Sequence, residues 1–189
     1  MTPKTNNELF NLKKSGEGKV VFITGGGGRI GRSLSRALIR NGYGVRALSH
    51  DKEFIHTMPA GVIPYVGDLN NKKVLSDACR GADIVYHLAA IVSEYREPTK
   101  KLMEVNVTGT ENVLEACRKN GVEEIVFTSS VDVYGRARDE ILTEESSSNK
   151  SHITFWCVVH CVLYPILTEW HQNTDLSPFL HCCPHFLIS

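Results

Sequence analysis

Between Lys19 and Ser130 the chain alternates short apolar runs with stretches whose apolar residues recur every three or four positions. The short runs predict strands over Lys19–Thr24, Gly44–Leu48, Val62–Val66, Asp83–His87 and Glu124–Thr128. The periodic stretches predict helices over Ile30–Asn41, Lys72–Cys79 and Thr99–Asn120, with one more turn of helix around Glu53–Thr57. In the longest of these, Leu102, Val105, Gly109, Val113, Ala116 and Cys117 step by three and four, which puts them on one buried face. Gly42 and Gly121 follow Asn41 and Asn120, where helix ends call for a left-handed residue. Strand, helix, strand in this order requires crossover connections, hence a parallel sheet covered on both faces. Ligands of such sheets bind beyond the carboxyl ends of the strands.

The first strand runs directly into Thr24-Gly25-Gly26-Gly27-Gly28-Arg29-Ile30-Gly31, and the next residues begin an amphipathic helix. That context is what a diphosphate site requires. Gly25 permits the tight turn, Gly28 lets main chain approach the ligand, and Gly31 lets the helix lie close to the strand. The helix start then offers N–H groups and the positive end of its dipole to the phosphates. The pattern therefore predicts an α/β fold of Rossmann type, a doubly wound parallel sheet that binds a dinucleotide.

The other predicted strand ends carry further candidates. Ser49 stands at the tip of the second strand, where an acidic residue would take the adenosine ribose hydroxyls. Arg29, Arg32, Arg46 and His50 are near enough in sequence to meet a 2′-phosphate. NADP is favoured over NAD on this count, while Asp51 keeps NAD open. Asp68, after the third strand, is placed to take an adenine amino group with Leu69 against the ring; capping the following helix is its alternative role. After the fourth strand, His87-Leu88-Ala89-Ala90 ends in small residues that let main chain lie against a flat cofactor. Asn106 sits on the apolar side of the long helix, so its amide demands partners. Strand five ends in Thr128-Ser129-Ser130, where a hydroxyl is placed to hold a substrate carbonyl or alcohol.

Composition changes the picture in two ways. First, 21 basic and 21 acidic residues among 189 balance to zero, which gives no electrostatic case for nucleic acid or an anionic membrane. Residues 1–18 form a polar tail with no secretory signal, and Cys79 and Cys117 fall in apolar helical patterns where they pack; a reducing, cytoplasmic setting fits. Second, every Lys, Arg and Gly lies in residues 1–150, whereas the tail 151–189 holds both tryptophans, four of six cysteines and five of eight histidines. Three domains follow: the tail 1–18, a nucleotide-binding unit 19–150 and an atypical segment 151–189, read as a replaced C-terminus. Two alternatives remain for that segment. One is a metal site from Cys157, His160, Cys161, His181, Cys182, Cys183 and His185, which lacks paired C-x-x-C spacing. The other is membrane attachment through Ile153–Leu167, a run too short to span.

Taken together, the glycine motif, Asp68-Leu69, His87-Leu88-Ala89-Ala90, Asn106-Val107-Thr108-Gly109-Thr110 and Thr128-Ser129-Ser130 through Tyr134-Gly135 resemble the extended short-chain dehydrogenase/reductase family over residues 19–145. The resemblance implies strand order 3-2-1-4-5, a small-molecule substrate and a homodimer. It also implies that Asp68 and Leu69 touch adenine, that Ala89 and Ala90 line the nicotinamide-side ribose, that Asn106 is a structural or relay residue, and that Ser130 is the active-site serine. Epimerase/dehydratase action on a nucleotide sugar is the leading expectation. A dihydroflavonol- or hydroxysteroid-type reductase is the second, and a catalytically inactive nucleotide binder the third. The chain departs from the family in one respect. The partner tyrosine and lysine, four apart on one helix, would fall at Phe155 and Val159, and no lysine follows Lys150. Tyr134 has Arg138 four residues on, but Gly135 interrupts the helix they would share. The family's C-terminal substrate lobe is also missing.

Overall fold

In the computed structural model, residues 16–91 and 100–128 are described, together with the backbone of Leu180–Cys183. The elements are β1 (Val20–Thr24), α1 (Arg29–Arg40), β2 (Gly44–Ser49), a 3-10 turn (Glu53–Thr57), β3 (Val62–Val66), α2 (Lys72–Cys79), β4 (Ile84–His87), α3 (Lys100–Met103), a π turn (Glu104–Thr108), α4 (Gly109–Asn120), β5 (Glu124–Thr128) and β6 (Leu180–Cys183). All strand pairs are parallel, in the order β3-β2-β1-β4-β5-β6. The expected order of the first five strands holds.

Strand β1 lies at the centre, and its side chains alternate between two cores. Val21 and Ile23 join Val45 and Leu38 beneath α1. Phe22 points the other way, into a larger cluster with Leu75, Val85, Leu102, Val113 and Val122 under α2 and α4. Cys79 and Cys117 are both free thiols buried in that second core. Because both faces of the central strands are covered, their functional groups reach solvent at the strand ends, while the edge strand β3 keeps Ile63 and Val66 exposed. Register brings those ends together, with Thr24 level with Leu48 on one side and His87 on the other.

Four sequence expectations need correction. The predicted continuous helix from Thr99 to Asn120 is broken by the π turn at Glu104–Thr108. A three- and four-residue hydrophobic rhythm does not register an inserted residue, so periodicity alone misses it. Asp68 does not cap α2; Asn71 does, its side-chain oxygen accepting the Val74 N–H at 3.2 Å. Arg46 does not belong to the ligand edge. Its guanidinium donates to the carbonyls of Ala78 (2.9 Å) and Arg80 (2.6 Å), at the C-terminal end of α2 and the opposite edge of the sheet. Unpaired carbonyls and the negative end of the helix dipole draw a cation there. Finally, β6 was not expected. Its backbone pairs with β5 from Ile125↔Leu180 to Thr128↔Cys183, so part of the compositionally odd segment extends the sheet.

Candidate functional site

The glycine turn is built to leave main-chain donors open. Gly25 has φ +72, which favours glycine, and a side chain there would also press on the main chain of Ala89 at 3.0 Å. The Gly26 N–H is tied to the Leu48 carbonyl (2.9 Å) and the Gly28 N–H to the Gly25 carbonyl (3.0 Å). Gly28 is the residue preceding α1, so it has no side chain with which to cap the helix, and the first turn of α1 contains no acidic residue. The first intrahelical bond runs from the Arg32 N–H to the Gly28 carbonyl. Among the described residues, no acceptor meets the N–H groups of Gly27, Arg29, Ile30 or Gly31. Most helices of this length satisfy such donors with a capping Ser, Thr, Asp or Asn. Here they are left uncapped, Arg29 and Ile30 on exposed residues and Gly27 and Gly31 on buried ones. Gly31 is buried against the turn, with the Gly25 carbonyl oxygen only 2.5 Å from where its Cβ would stand.

At the β2 tip, Ser49 is 5% exposed and its hydroxyl closes a small turn, donating to the Asp51 carbonyl (3.0 Å) and accepting the Asp51 N–H. The Asp51 carboxylate accepts the Glu53 N–H at 2.8 Å and so starts the 3-10 turn. His50 and Lys52 remain exposed. Phe54, on that turn, lies over Gly27, near enough that a Cβ on Gly27 would meet it at 2.7 Å.

At the β3 end, Asp68 is exposed, and one of its carboxylate oxygens accepts the Asn70 N–H at 2.9 Å. The Leu69 side chain is turned into the core against Gly109, so at this point the edge presents main chain and the Asp68 carboxylate. Asn112, buried on α4, holds the loop by donating to the Leu69 carbonyl at 3.0 Å.

The β4 end rests on a buried polar network. Thr24 Oγ1 accepts the N–H groups of both Leu88 and Ala89 (3.2 Å each) and meets His87 Nδ1 at 2.6 Å. His87 Nε2 meets Thr110 Oγ1 at 2.8 Å, and Thr110 donates to the Asn106 carbonyl at 2.7 Å. The Asn106 amide brackets Ile91, accepting its N–H and donating to its carbonyl, both at 2.9 Å. This accounts for the partners that a buried Asn106 requires, and the π turn sets its side chain at that height. Burial pushes the His87 imidazole down to about 4, so it is neutral at physiological pH.

The structure thus gathers Thr24, the glycine turn, Ser49, His50, Asp68 and Leu88 to Ala90 along one edge, while Arg46 leaves it. Ser130 lies outside the described residues, as do the side chains of the cysteine and histidine set in 151–189. Sequence reasoning assigned no role to His87, Thr110, Asn112 or Phe54. A signal was present for the first three: polar side chains at positions where the strand and helix patterns call for burial. Among the described residues, no group of side chains is arranged to hold a metal ion, and no helix is long and apolar enough to cross a membrane.

A parallel sheet in this order, with an uncapped glycine turn at its first crossover, is a Rossmann-type fold. The sequence profile of the 3-beta hydroxysteroid dehydrogenase/isomerase family matches residues 22–158, and the chain belongs to that family. It is 35% identical over 126 residues, 66% of this chain and 37% of the relative, to the 4-hydroxy-2-methyl-3-oxo-4-farnesyl-3,4-dihydroquinoline-1-oxide ketoreductase of Stigmatella aurantiaca. It is 40% identical over 115 residues, 61% of this chain and 33% of the relative, to the N-acetyl-alpha-D-glucosaminyl-diphospho-ditrans,octacis-undecaprenol 4-epimerase of Escherichia coli. Among solved structures, a short-chain dehydrogenase/reductase superfamily protein from Agrobacterium tumefaciens with bound NAD superposes with a TM-score of 0.68 at 30% identity. That alignment covers 82% of this chain and 45% of the other. The chain therefore spans about a third of the length of these curated relatives and just under half of that structure.

Proposed function

We propose that this chain binds a nicotinamide dinucleotide, its diphosphate resting on the open N–H groups of Gly27 and Arg29 to Gly31. The observation that carries this reading is the uncapped start of α1: four main-chain donors without an acceptor among the described residues, no acidic residue in the first helical turn, and glycine where a side chain would block approach. The surrounding residues fit the rest of such a ligand. Asp68 is exposed where the adenine would lie, Phe54 walls the adenosine side over Gly27, and Leu88 to Ala90 offer main chain and small side chains on the far side. When bound, the nicotinamide ring supplies a hydride donor or acceptor. NADP is favoured because the Asp51 carboxylate is already occupied in a turn while the basic residues His50 and Lys52, next to Ser49 in sequence, are exposed, as is Arg29 at the start of α1.

The chemistry of the wider family acts at a secondary alcohol or ketone. A ketone reductase is supported by the ketoreductase likeness; a nucleotide-sugar epimerase is supported by the 4-epimerase likeness, at somewhat higher identity over a shorter span. With Phe155 and Val159 where the family's tyrosine and lysine would fall, this segment is expected to bind coenzyme without turnover: cofactor oxidation or reduction with panels of ketones, secondary alcohols and nucleotide sugars should not exceed background. Binding is tested by thermal unfolding with NADP, NAD and neither. A coenzyme present at 100 times its dissociation constant should stabilise the fold by about 2.7 kcal/mol. A cooperative transition that neither coenzyme moves would overturn the reading.

A further inference from the structure

We infer that His87, in its Nε2–H tautomer, is a positioning residue that holds the loop after β4 in the shape that completes the coenzyme cradle. The inference rests on the coenzyme-binding reading above. The tautomer follows from counting protons. Thr110 Oγ1 has one hydrogen, and it lies on the Asn106 carbonyl at 2.7 Å. The remaining contact of Thr110, with His87 Nε2 at 2.8 Å, therefore requires that nitrogen to donate. A neutral imidazole carries one N–H, so Nδ1 has only a lone pair. Thr24 must then donate its hydroxyl hydrogen across the 2.6 Å contact to Nδ1. With its proton committed there, the Thr24 oxygen keeps both lone pairs for the N–H groups of Leu88 and Ala89, which are the bonds observed.

Every bond in the network therefore runs one way, from the Leu88 and Ala89 amides through Thr24 to the ring, and from the ring through Thr110 to Asn106. The two ends pin the same loop. Thr24 fixes residues 88 and 89 against the glycine turn, where Ala89 main chain approaches Gly25 too closely for a side chain. Asn106 fixes residue 91 at the other end. His87 is the piece that links the two anchors, because its rigid ring accepts from Thr24 at one nitrogen and donates to Thr110 at the other. The opposite tautomer would leave the Thr24 hydrogen without an acceptor and make Thr110 choose between the ring and Asn106. A buried polar group so deprived is costly, which selects one arrangement.

The first test is 15N NMR of the histidine-labelled full chain, with and without coenzyme. His87 should show a protonated Nε2 and an unprotonated Nδ1 in both states; a protonated Nδ1 overturns the inference, and this readout needs no variant. The second test compares His87→Phe and His87→Gln by coenzyme titration well below their unfolding temperatures. His87→Phe should weaken binding about tenfold, the factor carried by loss of one hydrogen bond, and His87→Gln, which can both accept and donate, should recover part of it. A purely structural role predicts lower melting temperatures with unchanged affinity in the folded protein, and that result also overturns the inference. If the wild-type chain itself binds neither coenzyme, the function proposed above fails. If the wild type binds and the variants bind equally well, only the role of His87 fails.

Discussion

Gly28→Ala is expected to leave the protein folded yet weaken coenzyme binding at least about tenfold, whereas Gly31→Ala should damage both. The two glycines are three residues apart in one motif, and their surroundings separate them. Gly28 has φ −72 and ψ 171, extended backbone open to any residue, and an added Cβ would meet only the Gly25 carbonyl oxygen at 3.2 Å. Replacing a glycine ahead of a helix by alanine costs about 1 kcal/mol or less. The proposed diphosphate lies against this same turn, so the penalty is expected to fall on coenzyme binding rather than on the fold. Gly31 is different. Its Cβ would stand 2.5 Å from the Gly25 oxygen and 2.7 Å from Gly26 Cα, both main chain, so no rotamer change relieves the clash. The helix must retreat from β1, which should destabilise the fold by about 2–3 kcal/mol, the upper part of the range for overpacking, and move the donors off target. Urea unfolding together with coenzyme titration of both variants checks this. Equal loss of stability at the two positions would contradict it.

The second large effect is acid lability at His87. Burial holds this imidazole at about 4 in the folded chain, against 6.5 when exposed. As pH falls through 6.5 the unfolded chain takes up a proton that the folded chain refuses until about 4. Stability from this site is therefore complete above 6.5 and is lost between 6.5 and 4. At about 1.4 kcal/mol per pH unit, the loss amounts to about 3 kcal/mol. Among the described residues no charged side chain is seen to oppose it: the ring is faced by Thr24, Thr110 and, at 5.7 Å between centroids, Phe127. Acid also acts on stability through groups other than this one, so the informative quantity is the difference between wild type and His87→Gln measured by urea unfolding from pH 7.5 to 4. That difference should shrink by about 3 kcal/mol as pH falls, because the variant has no proton to take up at this position. A difference independent of pH would mean that the buried imidazole is not held neutral by its surroundings.

How much of this was legible in the sequence depended on whether a feature was local. The glycine turn, its strand and its helix are contiguous, and each glycine in them has a local reason, so the cradle was readable. The five leading strands were readable for the same reason, since each is a short, contiguous and mainly apolar run. Gly121 was readable as a helix end and indeed has φ +67. Features that depend on which residues meet across the sheet were not. Arg46 is one residue in a strand, and nothing in its neighbourhood says which sheet edge its long side chain will reach; the carbonyls that attract it belong to residues 78 and 80. Asp68 and Asn71 are both good caps by type, and only the geometry of the loop chose between them. The π turn hides inside a rhythm of threes and fours. His87 is separated by more than twenty residues from Thr110 and by more than sixty from Thr24, and a single histidine at a strand end gives no hint of two threonine partners.

One physical account joins these observations. The proposed site is a set of main-chain donors left open at the start of α1, with the loop after β4 held by the buried polar side chains Thr24, His87, Thr110 and Asn106. The most direct test is amide NMR of the folded full-length chain during titration with NADP and with NAD. The account predicts that the resonances of Gly27, Arg29, Ile30 and Gly31 shift most, followed by those near Asp68 and Ala89, while the α2 amides and the far end of α4 stay still. A dispersed spectrum in which the glycine-turn amides do not move with either coenzyme would contradict it.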